Sequence, residues 1–130
     1  MADSLSINLT GTLVTANTPL FSKSGLLLTS AENRKEEVLL TNETYTIDIT
    51  KYNAINAICI EAYYNANSTT PTVVNEGDPA PFGLAINGGA TLSNKGMILY
   101  LPNTAPTSLV IDSTADTRQL KFKIGFITSA

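Results

Sequence analysis

The sequence predicts an all-β protein, built as a single antiparallel β-sandwich of about eight strands with jelly-roll-like connectivity and long loops. Apolar and polar residues alternate with a period of two along most of the chain, and no helical pattern of about 12 residues interrupts them. Threonine, asparagine and serine supply 40 of the 130 residues, against 19 charged ones. Threonine favours strands, whereas asparagine and serine favour turns. Because this length supports one core, residues 1–130 are interpreted as a single sandwich domain with an extended N-terminal segment.

The first strand is expected around residues 4–15, where Leu5, Ile7 and Leu9 fall on one side and polar residues on the other. After a break at residues 17–19, a short apolar piece leads to the only dense charge cluster, residues 32–37. Positive and negative side chains nearly cancel in this cluster. It is therefore predicted to be a solvated turn or a single helical turn.

Two strands in the middle of the chain have clear alternation. Tyr45, Ile47 and Ile49 define the first, and residues 58–64 define the second. The short connection between them predicts antiparallel neighbours. Tyr63 and Tyr64 are adjacent, so one is expected in the core and the other on the surface.

Residues 65–81 contain three prolines and many turn-forming residues, which predicts a long irregular excursion. Loops of this length are often functional. Val73 and Val74, in its middle, are expected to need a packing partner, for which a neighbouring subunit is one candidate.

Shorter strands follow in the second half of the chain. Residues 82–86 form one strand, ended by a turn at Asn87-Gly88-Gly89, and a second turn leads into the apolar alternate positions Met97, Leu99 and Leu101. Another strand begins at residues 109–111. The last strand has the cleanest alternation and comprises Leu120, Phe122, Ile124 and Phe126 against Gln119, Lys121, Lys123 and Gly125.

Composition excludes several classes of function. A net charge of −3 argues against nucleic-acid binding, which needs a concentrated basic face. The absence of histidine removes the commonest general base and metal ligand. No apolar run reaches membrane-spanning length and no signal peptide precedes the first strand, so we expect no membrane contact and synthesis in a cytoplasm.

No catalytic, cofactor-binding or metal-binding residue is predicted. Cys59 lies on a strand without a base to activate it, and is interpreted as an inert thiol. Residues 75–78, and Asp112 with Asp116, resemble fragments of calcium loops but are interpreted as turns. Glu36 and Glu37 paired with a remote aspartate, as glycosidase carboxylates, stay an open alternative.

Candidate interface residues come from the outward side of predicted strands and from two segments, residues 5–15 and 65–81, whose apolar residues lack an obvious internal partner. Lys121 and Lys123 form a small basic stripe on the outer face of the last strand. This stripe is either a solvated strand face whose charges protect a sheet edge from unwanted pairing, or a contact for an acidic partner. An outward Tyr63 supplies contact area at low entropic cost. The full set is Leu5, Ile7, Leu9, Tyr63, Val73, Val74, Lys121 and Lys123.

In its histidine-free, Thr/Asn-rich composition, its Pro-containing loops and its last strand, residues 118–126, the chain resembles the small structural proteins of tailed-bacteriophage virions, in particular capsid decoration or cement proteins. The resemblance implies a non-enzymatic protein on the virion surface, bound to the outside of the capsid. Its partners would be the major capsid protein and other copies of itself, most simply as a homotrimer. It would stabilise the shell by bridging subunits.

Other functional classes stay open. A receptor-binding or carbohydrate-binding module of a fibre or tail would use the same sandwich and place Tyr63 and Tyr64 against sugar. Another structural component of the head or tail fits equally well. An enzyme is the weakest alternative, because every candidate catalytic group lacks a partner.

Overall fold

The computed structural model describes residues 3–13, 18–30, 32–50, 54–102 and 104–129, with side chains for residues 36–50, 55, 57–102 and 104–126. The described residues form ten strands and no helix. The strands are β1 (Asp3–Leu13), β2 (Thr18–Ser30), β3 (Glu32–Thr41), β4 (Thr44–Ile47), β5 (Ala54–Tyr64), β6 (Pro81–Ile86), β7 (Leu92–Lys95), β8 (Met97–Tyr100), β9 (Leu109–Asp112) and β10 (Gln119–Ser129).

Eight of these strands form two antiparallel sheets of four. One sheet has the order β3-β10-β5-β8 and the other has the order β4-β9-β6-β7. The pairs are nested along the chain, because β3 pairs with β10, β4 with β9, β5 with β8, and β6 with β7. The predicted all-β sandwich of about eight strands is confirmed, and its jelly-roll-like connectivity stays a prediction.

The remaining strands, β1 and β2, pair with each other in a separate two-stranded antiparallel sheet. Leu5 lies opposite Leu28, and Ile7 opposite Leu26. The strand expected around residues 4–15 is therefore present as β1. The side chains of Leu5, Ile7 and Leu9 lie outside the described residues, so their interface role stays a prediction.

The core lies between the two four-stranded sheets. Along β10, Leu120, Phe122, Ile124 and Phe126 are all buried, as the period-two pattern predicts. The Phe122 ring meets the ring of Phe82, from β6 in the other sheet, edge to face at 5.7 Å between centroids. This contact joins the sheets near the middle of the sandwich.

Two sequence interpretations of strand position are wrong. β4 and β5 are not sheet neighbours, because the connection between them crosses from one sheet to the other. Lys121 and Lys123 do not cover a sheet edge, because β10 lies inside its sheet between β3 and β5. Local alternation identifies a strand but carries no information about which sheet it joins.

The charge cluster at residues 32–37 is also not a turn, because it belongs to β3 and pairs with β10. β3 is an edge strand, and edge strands of natural proteins commonly carry charged residues. In β8, by contrast, the alternate residue Met97 is 51% exposed, whereas Ile98 and Tyr100 pack against the core.

Replacing Phe122 with alanine is expected to destabilise the fold by about 3–5 kcal/mol, because it leaves a cavity between the sheets. The measurement is urea unfolding followed by circular dichroism. Leu39→Ala, on the solvent side of the same sheet and 45% exposed in the native protein, is the matched control and should cost less than about 1 kcal/mol. Equal losses for the two variants would contradict this placement of the core.

Candidate functional site

The solvent side of the sheet β3-β10-β5-β8, called the outer face below, carries most of the candidate interface residues that have described side chains. It follows from the same alternation that fills the core, because successive strand residues point to opposite sides. Its members are Glu37 and Leu39 on β3, Lys121, Lys123 and Gly125 on β10, Cys59, Glu61 and Tyr63 on β5, and Met97 and Leu99 on β8.

Charged and aromatic side chains meet in rows across this outer face. Lys121 lies between Leu39 and Tyr63, and Lys123 lies in the next row. The Lys121 Nζ atom is 3.5 Å from Glu37 Oε1, and the Lys123 Nζ atom is 5.8 Å from the centroid of the Tyr63 ring. Exposed pairs of this kind contribute about 0–1 kcal/mol to stability. Their main effect is to hold these side chains in place on the surface.

Apolar side chains lie exposed among these charges. Leu39 is 45% exposed and Met97 is 51% exposed, on opposite edges of the sheet. Leu101, just after β8, is 44% exposed. Large apolar side chains set among polar ones are typical of protein contact surfaces. The sequence indicates these exposures only through the period-two alternation of a strand. Because Leu40 is buried, its neighbour Leu39 must point to the solvent.

A groove of about 250 Å³ lies beside Tyr63. Its lining residues are Tyr63, Tyr64, Asn65, Glu76, Gly77, Lys121 and Lys123. Partial burial, followed by a hydrogen bond to Glu61, raises the pKa of the Tyr63 hydroxyl. The structure therefore brings together three of the predicted interface residues, Tyr63, Lys121 and Lys123, with a protonated phenol among them.

Tyr64 points the other way and is 7% exposed, which confirms the expectation that one of the two tyrosines is core and the other outward. Its hydroxyl donates to Asp116 Oδ2 at 2.8 Å. Arg118 donates two hydrogen bonds to the same carboxylate, from Nε to Oδ1 at 2.9 Å and from Nη2 to Oδ2 at 2.7 Å. Two parallel bonds are the strong form of this ion pair.

Arg118 also ties the long excursion to the body of the sandwich. Its Nη1 atom donates to the Thr72 carbonyl oxygen at 2.7 Å, and its guanidinium lies 4.7 Å from the centroid of the Tyr64 ring. We call Tyr64, Thr72, Asp116 and Arg118 the Arg118 cluster. The sequence interpretation missed it, although the spacing of an aspartate two residues before an arginine in a turn is the available signal.

The excursion itself is ordered by backbone pairing. Ser68 and Val74 exchange two backbone hydrogen bonds, of 3.0 Å from Ser68 N and 2.9 Å from Val74 N. Val74 packs against the core of its own chain, so it does not need a neighbouring subunit. Val73 is 75% exposed and keeps its place as an interface candidate.

Cys59 lies in a second, open groove of about 540 Å³ on the outer face, beside Gly125 and Glu61. Burial, and secondarily the negative charge of Glu61, raises the pKa of the Cys59 thiol. The thiol is therefore protonated at neutral pH, and a nucleophile requires the opposite shift. The inert interpretation agrees with this environment.

The carboxylates singled out in the sequence are engaged in local bonds. Asp112 accepts from the Thr114 amide at 2.8 Å, and Asp78 accepts from the Asn75 amide at 2.8 Å, as in turns. Glu36 accepts from the Tyr45 hydroxyl at 3.5 Å. Among the described residues, no group of three or more metal-ligating side chains comes together.

No family model, curated protein or solved structure matches this chain. The part of the chain that the structure describes holds no helix long and apolar enough to cross a membrane.

The Arg118 cluster predicts a pH dependence of stability. Hydrogen bonds from Arg118 hold the pKa of Asp116 well below its ordinary value of 3.8. The folded protein thus keeps this carboxylate ionised where the unfolded chain binds a proton, so its contribution is present above about pH 4 and is lost as the pH falls further. Asp116→Asn should destabilise by about 1–3 kcal/mol at pH 7.

The measurement is urea unfolding at pH 7 and at pH 2.5 on the wild-type protein, Asp116→Asn and Arg118→Gln. Both variants should lose less stability between the two pH values than the wild type does, because each removes the ion pair that lowers the pKa of Asp116. A wild-type pH slope retained by both variants would show that the cluster does not lower that pKa.

Proposed function

We propose that this chain is a non-enzymatic structural protein of a tailed-bacteriophage virion, which binds the outside of the capsid and stabilises it by bridging subunits. The observation that carries the proposal is the outer face, where exposed apolar side chains alternate with paired charges. Leu39, Tyr63 and Met97 supply apolar contact area, and the two lysines supply directed polar contacts. Such a mixture suits docking on another protein surface.

The non-enzymatic part of the proposal is supported by the state of the reactive groups. The Cys59 thiol has a raised pKa, and the Asp116 carboxylate is held by two bonds from Arg118. A nucleophile or a general base needs the reverse: a lowered thiol pKa or a carboxylate free to accept a proton. Asp78 and Asp112 accept hydrogen bonds within turns, and Glu37 pairs with Lys121.

Bridging a shell does not require a tight single contact. Many copies, each held at two points, act at high effective concentration, so weak contacts sum to firm attachment. Neutral hydroxyl and amide side chains, which outnumber the charged ones in this chain, hydrogen-bond through water without the desolvation cost of charges. We propose the major capsid protein and other copies of this chain as the partners, on the virion surface after synthesis in the host cytoplasm.

We also propose that the connectivity of the sandwich is that of a jelly roll. The support is the nested pairing of β3 with β10, β4 with β9, β5 with β8 and β6 with β7. In a jelly roll, a long antiparallel ribbon folds over so that alternate pairs enter opposite sheets. Here the first and third pairs form one sheet and the second and fourth form the other.

A carbohydrate-binding module is the second candidate, favoured by the groove of about 250 Å³ beside Tyr63. An aromatic ring next to an amide and a carboxylate, here Asn65 and Glu76, is a suitable lining for a sugar. Lys123 already lies over the Tyr63 ring at 5.8 Å, so a sugar would have to displace it. This competition is the reason to rank the candidate second.

Co-sedimentation with empty capsids of the encoding virus tests the first proposal. The wild-type protein should pellet with the capsids and raise their resistance to heat. Reversing two charges, Lys121→Glu with Lys123→Glu, should weaken binding by about tenfold or more, equivalent to about 1.4 kcal/mol. Lys95→Glu, in the other sheet, is the matched control and should bind as the wild type does.

A wild-type protein that stays in the supernatant at every concentration would refute the capsid proposal. Binding of the isolated protein to a glycan array, abolished by Tyr63→Ala and retained by Leu39→Ala, would establish the carbohydrate candidate instead.

A further inference from the structure

The strand β8 lies at the end of the sheet β3-β10-β5-β8, and within the part of the chain that the structure describes no strand pairs with its other side. The Ala62 amide donates to the Gly96 carbonyl at 2.9 Å, so this pair belongs to the hydrogen-bonded type. Bonded and non-bonded pairs alternate along an antiparallel ladder, and Ile60 faces Ile98 as the next bonded pair. The amides and carbonyls of Met97, Leu99 and Leu101 therefore point away from β5.

Charged residues lie on or directly beside the other three edges of the two four-stranded sheets, but not on this one. β3 contains Glu36 and Glu37, β7 ends on Lys95, and the uncharged strand β4 lies between Glu43 and Asp48. From Gly96 to Ile111 the sequence has no charged residue at all. Natural proteins commonly guard free edges with charges, prolines or bulges, so an uncharged apolar edge is a pairing site.

We propose that β8 pairs antiparallel with β8 of a second copy of this chain, across a two-fold axis at Leu99. The two sheets then join into one continuous sheet of eight strands. The three residues whose backbone groups point away from β5 are placed symmetrically about Leu99. Met97 therefore pairs with Leu101 of the second copy, and Leu99 pairs with Leu99 of the second copy. Each of these pairs exchanges two backbone bonds.

Three features identify the second copy as the occupant. A two-fold contact is self-complementary, so a second copy presents an edge of the same length and the same open positions. The absence of charge means that two copies meet without repulsion. Pairing also covers the exposed Met97 and Leu101, and the half-buried Ile98 and Tyr100 on the inner side, so side chains on both sides of the sheet gain contacts.

This contact lies at β8, whereas the lysines that would mediate capsid binding lie on β10, beyond β5; the two contacts share only the edge residue Met97. The contact at β8 predicts an even number of copies, in contrast with the homotrimer that the sequence resemblance implies. Mass in solution therefore separates the two.

Sedimentation equilibrium over a dilution series measures that mass. The wild-type protein should reach twice the chain mass of 13.8 kDa. Leu99→Lys places two like charges directly opposite each other, and should reduce the mass to that of one chain. Leu39→Lys adds the same charge at the opposite edge of the same sheet, and should keep the mass of the pair.

A wild-type mass of one or three chains overturns the proposal, and so does a Leu99→Lys variant that keeps the mass of the pair. Circular dichroism checks that Leu99→Lys is folded. If it is not, Leu99→Pro replaces it, because the Leu99 amide makes no bond within the sheet and edge strands tolerate proline there.

A disulfide cross-link tests the register. Cys59 lies opposite Leu99 and would capture a new thiol within the chain, so the variant is Cys59→Ala with Leu99→Cys. Residues of a bonded antiparallel pair have Cα atoms about 5.5 Å apart, which a disulfide can span. Oxidation should yield a covalent pair of chains, whereas Cys59→Ala with Leu39→Cys should stay uncrosslinked. Equal cross-linking of the two variants would overturn the register.

Discussion

The whole structure depends on the alternation of side chains along β10. This strand lies inside the sheet β3-β10-β5-β8 and sends Leu120, Phe122, Ile124 and Phe126 into the core. The Phe122 ring meets Phe82 from the other sheet, so one strand anchors both layers. Because a shift of one residue would exchange the two faces, burial of these rings also fixes Lys121 and Lys123 on the outside. The alternation that fills the core therefore also places the candidate site on the outer face.

The Arg118 cluster extends this order beyond the strands. It holds the residue 65–80 excursion against the start of β10, and Val74 packs on the core. Tyr64 belongs both to this cluster and to the lining of the groove beside Tyr63. The ion pair that holds its hydroxyl is partly buried, with side chains 13% and 8% exposed. Removing one partner of such a pair leaves the other without its counter-charge, so the pair both orders this region and supports its stability. A loop that looks irregular in sequence becomes a defined edge of the outer face.

The sequence predicts strands where apolar and polar residues alternate clearly, misses β2, and predicts the partners of strands poorly, for physical reasons. β10 is readable because apolar residues alternate without interruption over seven positions, and Tyr63 and Tyr64 separate correctly because adjacent strand residues must diverge. The charges of residues 32–37 suggest a turn, yet an edge strand in contact with solvent accommodates them. Membership of a sheet depends on contacts between residues far apart in sequence, so the placement of β4 and β5 in different sheets leaves almost no local signal. The same holds for the Arg118 cluster, in which Arg118 bonds to the distant residue Thr72.

The central proposal is that the outer face, and not the opposite sheet, meets the capsid. Covalent labelling of lysines followed by mass spectrometry tests it most directly on the unmodified protein. With empty capsids present, Lys121 and Lys123 should lose most of their reactivity, whereas Lys95 on β7 should keep the reactivity it has in the free protein. Equal reactivity of all three lysines with and without capsids, or protection of Lys95 alone, would contradict the proposal.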